Sequence, residues 1–188
     1  MRTFVTAMLV ALALPAAAFA HAKVSPPDAV KGESQVFTLA VPTEKDGVMT
    51  TKIELTPPAG FGIDSFVPSP GWTRVVQQTG TGEDAVVTKV TWSGGHVPTG
   101  EDATFSVLAD PASATTYTFG VRQTYSDGTI VDWNGPESSD TPSPTLDVRS
   151  SLGGGSSSTL AIVAVALGAA GVLLGAIALF ARGGRELA

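Results

Sequence analysis

The sequence predicts an all-β chain: a sandwich of short strands, followed by a single membrane-spanning helix. Three observations carry this. Between Val24 and Leu146, short stretches rich in β-branched and aromatic residues alternate with Gly, Pro, Asp and Ser punctuation. No stretch before Thr159 has a helical period. From Leu160 to Ala181 there are 22 residues without a charge, enough at ~1.5 Å per residue to cross a ~30 Å hydrocarbon core.

Taken in order, residues 1–20 read as a signal peptide. Arg2 precedes an apolar run, and Ala18-Phe19-Ala20 is an A-x-A cleavage signal, so cleavage would leave His21 as the first mature residue. The β-domain is expected over 21–148. Its strands are Gln35–Val41, Thr51–Leu55, Ile63–Val67, Thr73–Gln78, Val86–Trp92, Ala103–Ala109, Tyr117–Tyr125 and Ile130–Trp133. In the first of these, Phe37, Leu39 and Val41 share one face, while Val36, Thr38 and Ala40 share the other. Ser126-Asp127-Gly128-Thr129 is a hairpin signal, because Asp-Gly suits a tight turn with positive φ. Eight or so short strands at this spacing indicate an immunoglobulin-like β-sandwich. A Gly/Ser linker covers 149–158, the transmembrane helix 159–181 and a short cytoplasmic tail 182–188. Arg182 and Arg185 keep that end inside, which places the β-domain outside the cell membrane.

Charge and cysteine content remove several function classes. From His21 to Ser158 there are 16 acidic and 8 basic residues, a net charge near −8. A surface of that sign repels nucleic acid and anionic lipid. The chain has no cysteine, so thiolate zinc, iron–sulfur and blue-copper sites and cysteine nucleophiles are excluded. Met49 is the only thioether between the leader and the helix, so a metal would have to be held by nitrogen and oxygen. No G-x-S-x-G, phosphate loop or H-E-x-x-H string is present, and the carboxylate pairs Glu83-Asp84 and Glu101-Asp102 sit in turns.

His21 is the leading functional candidate. A first-residue histidine offers its α-amine and its imidazole to one ion, a nitrogen pair suited to tetragonal Cu(II). The alternative is a histidine that simply follows a cleavage site. Glu44 is a candidate oxygen donor: if the strand starting at Val24 pairs antiparallel with Gln35–Val41, the far end of the second strand lies beside His21. A solvated loop glutamate is the competing reading. In Trp133-Asn134-Gly135-Pro136-Glu137 the tryptophan could wall a shallow site and Glu137 could supply a second carboxylate, or Trp133 could be a core residue. His96, expected in an exposed Gly-rich turn, is the only other histidine and thus the only second imidazole for a two-histidine copper oxidase site. Trp72 and Trp92 read as packing residues.

These strings, taken together, resemble the YcnI-like family of extracytoplasmic copper-binding proteins. The resemblance rests on His21-Ala22-Lys23-Val24-Ser25-Pro26, Phe37-Thr38-Leu39-Ala40-Val41-Pro42-Thr43-Glu44, Thr51-Lys52-Ile53-Glu54-Leu55, Pro70-Gly71-Trp72 and Trp133-Asn134-Gly135-Pro136-Glu137-Ser138. It implies an immunoglobulin-like sandwich holding Cu(II) in a monohistidine brace. His21 would give amine and imidazole, Glu44 (or, as the alternative, Glu137) the oxygen, and Trp133 would pack beside the metal. It also implies copper-homeostasis or metallochaperone work with a copper-handling partner, not catalysis. Ala22-Lys23 departs from the further apolar residue that many relatives carry after the histidine. Two rival readings remain at this stage: a copper redox enzyme of the polysaccharide monooxygenase kind, which would need His96, and a non-metal adhesion domain.

Overall fold

The structure, a computed structural model, describes residues 21–152 and 158–182. The expected signal peptide, 1–20, residues 153–157 of the expected Gly/Ser linker and residues 183–188 lie outside the described residues. Twelve strands precede the helix: β1 (Lys23–Ser25), β2 (Asp28–Val30), β3 (Gln35–Pro42), β4 (Met49–Thr56), β5 (Phe61–Phe66), β6 (Thr73–Thr79), β7 (Val86–Pro98), β8 (Asp102–Pro111), β9 (Thr116–Thr118), β10 (Gly120–Tyr125), β11 (Ile130–Trp133) and β12 (Thr145–Arg149). Helix α1 covers Ser158–Arg182.

Alternation along each strand builds two facing sheets. One has the order β1-β3-β8-β5 and the other β11-β10-β4-β7-β6. Phe37, Leu39 and Val41 turn inward from β3 to meet Ile53 and Leu55 of β4, Val90 and Trp92 of β7, and Phe105 and Val107 of β8. A fully buried side chain of this size contributes ~1.5–3 kcal/mol relative to exposure, so the shared interior is the main source of stability. A small third sheet, β2-β12-β9, closes one end of the sandwich and includes a parallel β2/β12 pair.

Three local features differ from the sequence expectation. The Tyr117–Tyr125 stretch is divided between two sheets: β9 pairs with β12, and β10 pairs with β4 and β11. The Gly94-Gly95-His96 string is not a turn but the bulged middle of the 13-residue β7. The register there passes from Lys52↔Ser93 to Thr50↔Val97, so three residues of β7 stand against Thr51 alone. Gly94 takes φ +87°, and a Cβ on Gly95 would lie 2.1 Å from the ring of Trp72. The pair of glycines therefore serves to bend the strand and seat an indole. A single 3₁₀ turn, Gly82–Asp84, links β6 to β7.

The chain divides into two compact units, residues 1–150 and 151–188. In the second unit α1 has a mean hydropathy of 2.5 over Ala161–Ala178, with none of that window buried. It is long and apolar enough to cross a membrane.

Candidate metal centre

His21 opens the described chain immediately before β1, at the edge of the first sheet. β1 pairs antiparallel with β3 in the register Lys23↔Ala40, Val24↔Leu39, Ser25↔Thr38. Continued by two positions, this register sets His21 against Pro42, with Glu44 two residues further along the same chain. Along β1 exposure alternates, with Ala22 and Val24 buried and His21 and Lys23 exposed, whereas Val41, Pro42 and Thr43 are all buried before the exposed Glu44. His21 and Glu44 are both exposed, at the same end of the β1/β3 pair.

Residues 43–45 are held from several sides. Thr43 donates its N–H to Glu101 O at 2.9 Å, and its carbonyl accepts from Gly100 N at 2.9 Å. Lys45 pairs with Asp127 of the β10–β11 hairpin and donates to Thr129 Oγ1 at 3.0 Å. The Asp127 carboxylate also accepts from Thr129 N and Oγ1. The Lys45 ammonium first, and then Thr129, hold its pKa well below the usual carboxylate range. The Asp-Gly turn read from the sequence is thus also the anchor of the segment that carries Glu44.

Glu137 lies on a loop that shares a groove with His21. The string after Trp133 closes on itself: Gly135 N donates to Thr141 O and Ser143 N to Gly135 O, each at 3.0 Å, while Ser139 Oγ donates to Pro136 O at 2.7 Å. Gly135 is required, since a Cβ there would lie 2.2 Å from Ser139 Oγ. The closed loop forms one wall of an open groove of about 900 Å³, whose lining includes His21, Lys23, Glu137 and Asp147. Glu44 is not among the lining residues. Glu137 thus lines the same groove as His21, whereas Glu44 lies beyond the end of β3, outside that lining.

Trp133 lies inside the sandwich, 1% exposed, and does not line the groove. Its Nε1–H donates to Gln123 Oε1 at 3.0 Å. Gln123 Nε2 donates to Pro42 O at 2.8 Å and to Thr50 Oγ1 at 2.7 Å, and Thr50 and Thr43 share a 2.7 Å hydroxyl contact. The indole is thereby connected to the residue set against His21. Gln123 was not visible as a functional residue in the sequence, but a signal existed: an amide side chain stands on the inward face between Val121 and Tyr125. His96 is exposed on the β7 bulge and does not line the His21 groove.

The donors available suit a nitrogen–oxygen site. Among the described residues no group of three or more His, Cys, Asp or Glu side chains is gathered to hold a metal. An ion at His21 would therefore need a ligand other than a third side chain, and a freed α-amine at His21 has the right chemistry.

Comparison with known proteins places the chain. The family model described as "Domain of unknown function (DUF1775)" matches residues 21–148. The copper-binding protein CutI of Bacillus subtilis (strain 168) is 31% identical over 182 residues, covering 87% of each chain. A crystal structure of an uncharacterised protein from Nocardia farcinica, described as an immunoglobulin-like fold, matches with a TM-score of 0.59 and 31% identity over 69% of this chain and 98% of that one. The sandwich is accordingly immunoglobulin-like, and the chain belongs to the DUF1775 family, the YcnI-like proteins.

Proposed function

We propose that this is a membrane-anchored, extracytoplasmic Cu(II)-binding protein that carries copper in a monohistidine brace, as a metallochaperone or copper-homeostasis factor. The observation that carries the reading is the exposed His21 at the end of the β1/β3 pair where Glu44 is also exposed. The similarity to a copper-binding relative supports it. The α-amine of cleaved His21 and its imidazole give two nitrogens, and Glu44 gives an oxygen. This set fits the tetragonal N,O preference of Cu(II). Copper takes the place of the protons on an α-amine and an imidazole when it binds them, so affinity should rise with pH. Copper is cargo here: an ion held by so few side chains at an exposed corner can pass to a partner by ligand exchange. Helix α1 would tether the domain, with Arg182 and Arg185 on the cytoplasmic side.

Glu137 is the second reading for the oxygen donor, favoured by the groove it shares with His21. An oxidase of the two-histidine kind has no such support, since His96 is on the β7 bulge outside that groove. We read the protein as a binder and not an enzyme.

Cu(II) titration of the mature chain, followed by electron paramagnetic resonance, tests the brace. A chain beginning at His21 should bind one Cu(II) with nitrogen and oxygen ligation. Adding a single residue before His21 should weaken binding at least a hundredfold; unchanged affinity would sink the brace. Glu44→Gln and Glu137→Gln, compared separately, identify the carboxylate.

A further inference from the structure

β10 presents Val121, Gln123 and Tyr125 to the interior, and two of these three carry polar groups that are fully or almost fully buried. Gln123, 0% exposed, reaches across the sandwich: it donates to Pro42 O and, through Thr50, is linked to the Thr43 hydroxyl. The opposite sheet thus holds the two residues just before Glu44, one by its carbonyl and one by its side-chain hydroxyl. Buried polar groups of this kind add little net stability over an apolar filling of the same shape, but they are directional. Their placement under an exposed carboxylate is what calls for a function.

We infer that Gln123 is a positioning residue, which through Pro42, Thr50 and Thr43 holds the backbone leading into Glu44 so that its carboxylate is presented to a metal at His21. The inference rests on the brace reading, with Glu44 as the oxygen donor. A glutamate on a free loop would lose backbone freedom when it bound the ion; one already clamped has lost it on folding. Fixing about one residue's backbone in advance corresponds to roughly tenfold in affinity.

The test uses the full mature chain, beginning at His21, in detergent micelles. Cu(II) affinity is measured by competition with a chelator, below the unfolding range of every variant, together with the electron paramagnetic resonance spectrum. Thr50→Val removes the hydroxyl that links Gln123 to Thr43 at the same size; Gln123→Met removes the amide at similar length. Each should weaken Cu(II) binding about tenfold and move the copper hyperfine signature toward that of Glu44→Gln. Combined with Glu44→Gln, neither should weaken binding further, because the group they position is already gone. If both variants keep wild-type affinity and spectrum while only their thermal midpoint falls, the network is structural and the inference is overturned. Losses that add in full to that of Glu44→Gln overturn it as well. Should Gln123→Met fail to fold, Thr50→Val decides alone. Glu44→Gln binding like the wild type would overturn the Glu44 assignment, and this inference with it, and is recognised because the fault then appears without any change in the clamp. Loss of binding only on extending the chain before His21 leaves the brace standing and isolates any failure to the clamp.

Discussion

Two regions of the sandwich interior are built by different means. In one, rings meet rings. Trp92 stacks on Phe105 with centroids 4.3 Å apart, Trp72 meets Phe105 edge-on at 4.9 Å, and Phe61 touches Phe37, Tyr117 and Phe119 in T-shaped pairs. In the other, Trp133, Gln123, Thr50 and Thr43 meet through hydrogen bonds of 2.7–3.0 Å. The contrast is sharpest between the two fully buried indoles: Trp133 Nε1 has a partner, whereas Trp92 Nε1 has none. Apolar burial is non-directional and scales with area, so the ring cluster supplies stability with little control over any one atom. Hydrogen bonds contribute less net free energy but fix direction. The directional half is the one that holds the residues just before Glu44.

If this division holds, the largest loss of stability comes from the ring cluster. Phe105→Ala empties a site between two indoles and should cost ~3–5 kcal/mol, measured by urea or guanidinium unfolding. Copper affinity of the protein that remains folded should not change. A matching fall in affinity would show that the two halves are not separable.

Next in size is the comparison of the two indoles themselves. Trp133→Phe and Trp92→Phe remove the same volume, so the difference between them isolates the N–H. Trp133→Phe leaves Gln123 Oε1 buried without its donor, at about 1–3 kcal/mol. Trp92→Phe removes an N–H that had no partner. Denaturant midpoints should therefore show Trp133→Phe as the less stable variant by about that amount. Equal midpoints would mean that the Trp133 bond adds nothing.

The ring half was legible from the sequence and the polar half was not. Phe37, Leu39 and Val41 fall on one face by simple alternation, and all three are buried. The Asp127-Gly128 hairpin and the antiparallel β1/β3 pairing also follow from local chemistry. What escaped depends on contacts far apart in sequence. The parallel β2/β12 pair joins residues near 29 and 148, and a Gln on an inward position looks like an error in the pattern until Pro42, Thr50 and Trp133 are seen around it. Gly94-Gly95 misled for a physical reason: a glycine pair reads as a turn, but here the absent side chain makes room for Trp72. Of the candidate site, the antiparallel β1/β3 register was readable from the sequence, while the groove lined by both His21 and Glu137 depends on how the 134–144 loop closes on itself.

That glycine gives a prediction of similar or smaller size. In Gly95→Ala the new methyl would stand 2.1 Å from Trp72 ring atoms. The indole would have to leave its seat against Phe105, costing about 1–3 kcal/mol as overpacking does. Thermal unfolding checks it, and tryptophan fluorescence should report a more exposed Trp72. The effect belongs to the ring half, so copper affinity should again be unmoved.

The smallest effect lies on the outer face, apart from both halves. Glu54 is held below the usual carboxylate range, first by the hydrogen bond from Lys89, at 2.9 Å, against the opposing effect of burial. Asp132 is lowered by its bonds from Arg122. A carboxylate with a depressed pKa stabilises the fold above its unfolded value of about 4 and loses that contribution as pH falls through the folded value. Unfolding midpoints should therefore be level from pH 7 to about pH 5 and then decline in acid. Lys89→Met should flatten part of that decline, because Glu54 would then titrate nearer its unfolded value, with a loss at neutral pH of under about 1 kcal/mol for a part-exposed pair. The comparison is sharpened by what should not change: Lys89 bonds to Glu54 on the outer face, so a copper affinity altered by Lys89→Met would mean that the outer face of β4 also governs the segment at Glu44.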